Sequence, residues 1–203
     1  MRTNQVIHYG WIILKVSIVL FMLSPMMLMA QTNYKLASSK DNTIKVLGKS
    51  NVHDWTMVAK GLESSGTFKF DKNNELVDLT SFKFSVLAKS LKSDKTSMDE
   101  RTYKAMKADQ FPKVTYQLTF ATVTMVQANK YSIQTSGNLT IAGKTQVIAM
   151  KVMALVNADG SITCHGQENL ILTDYGIQPP SFMLGAMKVG NDLSIQFNLT
   201  YAK

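Results

Sequence analysis

Residues 191–201 read NDLSIQFNLTY, and apolar and polar side chains alternate along them with a period of two. In an extended chain Leu193, Ile195 and Phe197 lie on one face, whereas Ser194 and Gln196 lie on the other. Such alternation is typical of an antiparallel strand with one buried face and one solvated face. The segment therefore predicts a β-strand that contributes a row of apolar side chains to a core.

The same period recurs through most of the chain after residue 30. Apolar and polar residues alternate in segments 67–70, 81–86, 115–122 and 131–141. Turn-forming residues separate these segments at short intervals, and the Asp-Gly pair at 159–160 is a strong hairpin signal. About eight strands joined by hairpins must stack as two sheets or close into a barrel, because either arrangement deals with their free edges.

Two segments depart from this pattern. Residues 147–156 are apolar on both faces, so we expect that strand to be covered on both sides. Ser97 and Glu100 have the spacing of a capping box, good helix formers follow them, and Pro112 ends the run. We therefore predict an all-β fold with one short helix, from about Met98 to Ala108, inserted between two strands.

Composition excludes several classes of protein. The chain has 203 residues, of which 45% are hydrophobic and 18% charged, and this excludes wholesale disorder, collagen and a polytopic membrane protein. The formal net charge is +8, but the lysines are dispersed and the aromatic residues lie on faces that pattern as buried. A nucleic-acid partner is therefore not expected, whereas a basic rim would favour transient contact with an anionic membrane surface.

The first 30 residues have the features of a secretory signal peptide. An uncharged apolar run, Val16–Met29, follows Lys15, and the small residue Ala30 precedes the expected cleavage site. The alternative is a membrane anchor, but this run of 14 residues is shorter than the ~20 needed to cross a bilayer. We expect a signal peptide at 1–30, a single mature domain at 31–203, and a periplasmic or secreted protein.

The sequence offers little catalytic chemistry. It has no glycine-rich phosphate loop, and its one cysteine, Cys164, excludes an intramolecular disulfide and a structural zinc site built on thiolates. His8 lies in the leader, which leaves His53 and His165 as candidate bases. We expect no catalytic residue, no metal and no cofactor. A hydrolase or isomerase that uses His53 or His165 stays open as an alternative.

The apolar faces of the strands carry the candidate binding residues. In a closed barrel these side chains point inward, where they either fill the centre or line a cavity for one ligand. Periodicity does not distinguish the two, so a solid barrel that serves as a structural or stress-related partner-binding module is a further alternative. The predicted ligand-binding residues are Phe68, Phe82, Phe84, Tyr116, Leu118, Phe120, Ile133, Leu139, Ile141, Ile195 and Phe197.

Five segments, in order, resemble motifs of one protein family. They are GKSNVHDW at 48–55, GTFKF at 66–70, KADQFPKVTY at 107–116, GNLTIAGKT at 137–145 and TDYGI at 173–177. Each is weak alone, but together they are similar to the YceI-like family of bacterial polyisoprenoid-binding, lipocalin-like proteins. The resemblance extends from about residue 34 to residue 201.

This resemblance implies an eight-stranded antiparallel lipocalin-like barrel with one helix. It also implies a periplasmic binding protein, not an enzyme, that holds an isoprenoid or another long-chain lipid in its lumen. Two segments depart from the family pattern. Residues 98–101 lack the Arg-Asp pair and histidine that many members carry, so no head-group contact is transferred to them. Residues 179–182 differ from the usual short loop, where a changed tunnel mouth or a homodimer contact is expected.

Overall fold

A computed structural model of the protein describes residues 31–182 and 184–203. The predicted signal peptide, residues 1–30, lies outside the described residues. The described residues form twelve strands and one α-helix. The strands are β1 (Gln31–Leu36), β2 (Thr43–Ser50), β3 (Asp54–Ala59), β4 (Glu63–Phe70), β5 (Leu76–Leu87), β6 (Leu91–Lys92), β7 (Lys113–Gln127), β8 (Lys130–Ile141), β9 (Lys144–Val156), β10 (Ile162–Ile171), β11 (Ser181–Phe182) and β12 (Met187–Ala202), and the helix is α1 (Thr96–Ala105).

Eight of the strands form a closed antiparallel ring. Their hydrogen-bonded order is β1-β4-β5-β7-β8-β9-β10-β12, and β12 pairs back with β1 at Lys35–Ala202 and Leu36–Tyr201. Closure removes the free edges that an open sheet of this size would expose. The predicted fold class, an eight-stranded antiparallel ring with an inserted helix, is confirmed.

Strand β12 also supports a second, smaller sheet. Beyond the short stretch that pairs with β1, the same edge of β12 pairs with β2 from Asn198–Thr43 to Val189–Ser50. Strand β3 pairs with β2, and the two-residue β6 pairs with the end of β3. We call β2, β3 and β6 the side sheet. It widens the space enclosed by the ring, and α1 follows directly from its last strand.

Strands β9 and β10 separate along half of their length. They pair only between residues 152–156 and 162–166, although β9 begins at Lys144 and β10 runs to Ile171. A 3₁₀ turn, Leu172–Tyr175, lies against the unpaired half of β9, where Gln146 donates a hydrogen bond of 2.7 Å to the carbonyl of Asp174. This turn brings Tyr175 into the opening between the two strands.

Buried aromatic residues close one end of the ring. Tyr34 and Phe68 meet edge to face with ring centroids 5.3 Å apart, and Phe68 also lies beside Tyr201. The Tyr201 hydroxyl pairs with Ser64 Oγ at 3.1 Å, and the Tyr131 hydroxyl accepts a hydrogen bond from the Leu76 amide. The Tyr34 hydroxyl donates to the carbonyl of Gly160 at 3.2 Å, so all three tyrosine hydroxyls of this aromatic floor are hydrogen-bonded.

The start of α1 differs from the predicted capping box. The helix begins at Thr96, and no side chain caps it. Asp99 is buried and accepts hydrogen bonds of 2.7 Å from both the amide and the hydroxyl of Ser93, while Lys92 Nζ lies 3.6 Å from its carboxylate. The acidic residue that stabilises the helix start is therefore Asp99, which connects α1 to β6.

The prediction that β9 is covered on both sides is wrong. Ile148, Met150 and Val152 face the interior, whereas Val147 on the opposite face is 72% exposed. At Val147 the outer face of β9 is therefore open to solvent, with no second layer of the described residues over it.

A tight turn joins β8 to β9. Ala142 and Gly143 both have positive φ, 50° and 77°, as a two-residue hairpin loop requires. A Cβ atom at Gly143 would lie 2.5 Å from Cε1 of Phe111, so both the backbone conformation and the available space favour glycine.

We predict that Gly143→Val lowers the free energy of unfolding by more than about 1 kcal/mol, because a β-branched residue is strained at this φ and collides with Phe111. Gly160→Val is the matched control: Gly160 has φ +80° but open space around it. Urea denaturation should show a larger loss at position 143 than at position 160. Equal losses would show that the contact with Phe111 contributes nothing.

Candidate functional site: an apolar cavity inside the ring

The ring and the side sheet enclose a cavity of about 510 Å³. Its wall is formed by inward-facing residues of the ring, by β2 and β3 of the side sheet, and by one face of α1. Most of these residues are aliphatic or aromatic. The interior is therefore not filled by side chains, and its volume is in the range of cavities that bind small organic ligands.

Ten of the eleven predicted ligand-binding residues lie on the wall of this cavity. Periodicity alone identified them, because in a closed ring every second residue of a strand points inward. Their contact with a ligand stays a prediction. The ten are Phe68, Phe82, Phe84, Tyr116, Leu118, Ile133, Leu139, Ile141, Ile195 and Phe197.

The predicted inward orientation of Phe120 is wrong. Its side chain is 66% exposed and does not line the cavity. The register of β7 against β8 shifts between Leu118, which pairs with Gly137, and Phe120, which pairs with Ser136. This β-bulge changes which face each following residue occupies, so alternation counted through Thr119 places Phe120 on the wrong side.

Sequence reasoning missed the part of the wall that the side sheet and α1 provide. Ile44 and Val46 of β2, and Trp55 and Met57 of β3, point into the cavity. Both pairs alternate with polar or outward residues, so the period that identified the other strands would also have identified these. Met98 and Thr102 of α1, with Met106 at its C-cap, complete this side, and their spacing of four places them on one face.

One end of the cavity opens between polar and cationic residues. His53, Lys95 and Arg101 are exposed and line its edge, and the Arg101 guanidinium lies 4.2 Å from the centre of the Phe182 ring. We call this end the mouth; the aromatic floor lies opposite. Residues 179–182, which depart from the family pattern in sequence, contribute Pro180 and Phe182 to it.

The model of the YceI-like domain matches residues 37–201 of the chain. This protein belongs to the YceI-like family. No curated protein matches the sequence.

Solved structures share the fold at low sequence identity. BcnA of Burkholderia cenocepacia is 16% identical with a TM-score of 0.63, over 80% of this chain and 96% of that one. A polyisoprenoid-binding domain of Saccharophagus degradans, implicated in plant cell wall breakdown, is 10% identical with a TM-score of 0.61, over 85% and 98%. The YceI protein of Campylobacter jejuni is 14% identical with a TM-score of 0.53, over 100% and 99%.

Within this YceI-like domain, neither histidine reaches the interior. His165 lies on the exposed face of β10, and His53 is exposed at the mouth, where its Nδ1 lies 3.1 Å from the carbonyl of Asp54. Cys164 does line the cavity, but burial raises the pKa of its thiol to about 12. Since the thiolate is the nucleophile, a thiol with this pKa is inert near neutral pH.

The described residues also lack two other features. No group of three or more histidine, cysteine, aspartate or glutamate side chains in residues 31–182 and 184–203 has the arrangement of a metal site. No helix in that part of the chain is long and apolar enough to cross a membrane.

Polar side chains interrupt the apolar wall on the β8–β9–β10 side. The Tyr116 hydroxyl donates to Thr135 Oγ1 at 3.3 Å, and Thr135 in turn donates to the carbonyl of Met150 at 3.3 Å. Glu168 and Tyr175 also line the cavity. Burial raises the pKa of Glu168 above that of an ordinary glutamate, and burial, with the charges of Asp174 and Glu168, raises the pKa of Tyr175 to about 12.

Proposed function

We propose that this protein is a binding protein that holds an isoprenoid or a similar long apolar amphiphile in its cavity. The observation that carries the proposal is the apolar cavity, whose wall is formed by the ring, the side sheet and α1. Each buried CH₂ group contributes about 0.8 kcal/mol, so a long chain binds tightly without many polar contacts. Membership of the YceI-like family, and the polyisoprenoid-binding domain among the similar structures, support it.

Binding explains the site better than the alternatives do. A hydrolase or isomerase built on His53 or His165 needs one of these side chains beside a bound substrate, and His165 lies outside while His53 is exposed at the mouth. A solid barrel has no open volume, which the cavity of about 510 Å³ contradicts. The comparisons likewise support a binding protein and not an enzyme.

We also propose that the mouth contacts a membrane surface. The tip of the β2–β3 turn carries the exposed residue Val52, and the tip of the β11–β12 turn carries the fully exposed Leu184. Asn51 joins the tips through its side chain: Nδ2 donates to the carbonyl of Ala186, and Oδ1 accepts from the backbone amide of Lys188, each at 2.8 Å. Two apolar tips beside lysines suit an anionic bilayer, from which an apolar ligand would enter.

The homodimer expected from residues 179–182 stays a prediction. In this structure Phe182 packs against Arg101 of the same chain, which assigns the segment to the mouth.

Substitutions on the inner and outer faces of the ring strands test the binding function. Ile133→Trp and Leu139→Trp place added volume in the cavity, so these variants should stay folded but retain little ligand. Val147→Trp is the matched control because Val147 faces solvent, and it should retain ligand like the wild type. The measurements are thermal melting and mass spectrometry of organic extracts. Unfolded tryptophan variants, together with a wild type that retains no apolar molecule, would show that the interior is a packed core.

Charge substitutions at the tips test the membrane contact. Val52→Asp and Leu184→Asp should each weaken binding to phosphatidylglycerol-containing vesicles by about tenfold, because a charge replaces an exposed aliphatic side chain that would enter the bilayer on docking. Val126→Asp is the control, since Val126 is exposed at the opposite end of the ring. Vesicle co-sedimentation gives the result; equal loss in all three variants would argue against docking through the mouth.

We propose, finally, that the protein is exported and that cleavage follows Ala30. The apolar run Val16–Met29 supports this. The intact mass of the protein recovered from the periplasm or medium should correspond to a chain that begins at Gln31. A mass that includes Met1, found in the membrane fraction, would indicate an anchor instead.

A further inference from the structure

The hydroxyl of Tyr175 is buried in the cavity wall without a hydrogen-bond partner among the described residues. The residue as a whole is 3% exposed. Buried hydroxyl groups in proteins are hydrogen-bonded in the great majority of cases, and an unpaired one calls for an explanation. At the wall of an open cavity, the simplest explanation is a partner that belongs to the ligand.

Glu168 lies on the same side of the cavity. It is the only carboxylate on the wall within residues 31–182 and 184–203, and it makes no ion pair in that part of the chain. Its register partner on β12 is Ile195, which also faces inward. Glu168 is partly buried, and a carboxylate that a ligand would cut off from the remaining water loses hydration unless the ligand pairs with it.

Both side chains line the cavity at the opening between β9 and β10. Glu168 lies two residues beyond Gly166, the last residue of β10 that pairs with β9, and Tyr175 belongs to the 3₁₀ turn that directly follows β10. Tyr116 lines the same cavity. Tyr116 already donates its proton to Thr135, so its oxygen is left to accept. Tyr175 is held in place by the 3₁₀ turn that occupies the opening between β9 and β10.

We infer that Glu168 and Tyr175 form a polar subsite for an uncharged hydroxyl group carried by the otherwise apolar ligand. The ligand hydroxyl donates to the Glu168 carboxylate, and its oxygen accepts from the Tyr175 hydroxyl. Both protein groups are then satisfied, and no net charge is added to the cavity. This inference rests on the proposed binding function and adds the class of ligand: a long-chain alcohol.

The arrangement also selects against two related classes of molecule. A hydrocarbon or an ether offers no donor, so the Glu168 carboxylate would lose water without gaining a partner. A fatty acid brings a second negative charge next to Glu168, and like charges at short distance repel strongly in a medium of low polarity. Sites with buried hydrogen-bonding groups discriminate against ligands that lack the matching group more sharply than apolar pockets discriminate by size.

The test compares three probes of equal chain length: farnesol, farnesyl methyl ether and farnesoic acid. Each displaces the neutral fluorophore N-phenyl-1-naphthylamine from the purified protein at pH 7.5. We expect wild type to bind the alcohol at least about tenfold more tightly than the ether or the acid, the effect of one hydrogen bond to a charged group.

Three variants assign this preference to the subsite. Tyr175→Phe and Glu168→Gln should each reduce the preference for the alcohol over the ether, with ether binding unchanged. Glu168→Gln should also improve binding of the acid. Tyr103→Phe is the control: it removes a hydroxyl that is bonded to the Leu91 carbonyl outside the cavity, and it should keep the wild-type preference.

The outcomes separate the subsite from the binding function. Equal affinity of wild type for alcohol and ether, or tightest binding of the acid, would overturn the subsite while leaving the apolar cavity as the binding site. Failure of all three probes to displace the fluorophore would overturn the binding function and the subsite together. Because Glu168 is only partly buried, Glu168→Gln keeps the test decisive if Tyr175→Phe does not fold.

Discussion

The backbone hydrogen bonds of β12 are the constraint on which the rest of the structure depends. One edge of this strand pairs with β10 along ten residues, while the other edge is divided between β1 and β2. The pairing with β1 closes the ring, and the pairing with β2 attaches the side sheet. If β12 paired with β1 along its whole length, the ring would have no side sheet, and α1 and the side sheet would have no place on the wall. The extent of the cavity wall follows from this division, because the side sheet and α1 line the cavity together with the ring.

The period-two pattern predicted the strands and most of their inward faces, but it left two stacked sheets and a closed barrel both open, and the resemblance to the YceI-like family implied the closed arrangement. Residues such as Ile133, Leu139 and Phe197 lie where alternation placed them because closure forces one face of every strand inward. Phe120 shows the limit of this reasoning: a bulge is a backbone event, and no residue between Leu118 and Phe120 marks it clearly. The predicted capping box was wrong for a related reason. The hydrogen bonds between Asp99 and Ser93 depend on how β6 leads into α1, and this is a tertiary feature.

Sequence analysis did not identify Glu168 as a cavity residue, because β10 does not alternate regularly. Along β10 the inward positions are Cys164, Glu168 and Leu170, with Gly166 between them, so the inner face does not read as apolar. Tyr175 belongs to no strand, and its position follows from the separation of β9 and β10, a tertiary feature. Polar residues on a cavity wall interrupt the alternation of apolar and polar residues, and the cavity is predicted from that alternation. Such residues are therefore the ones that the alternation does not reveal.

The aromatic floor has a consequence for the order in which a ligand enters. Tyr34, Phe68, Tyr131 and Tyr201 fill the far end, so the cavity is a tube that is closed there and open at the mouth. The proposed amphiphile would therefore enter the mouth tail first. Cys164 and Ile171 both line the tube, and at about 3.3 Å per residue the seven steps between them span about 23 Å. If the cavity holds the proposed ligand, this depth sets the length of chain that fits, because a longer chain must double back or leave its remainder outside the mouth.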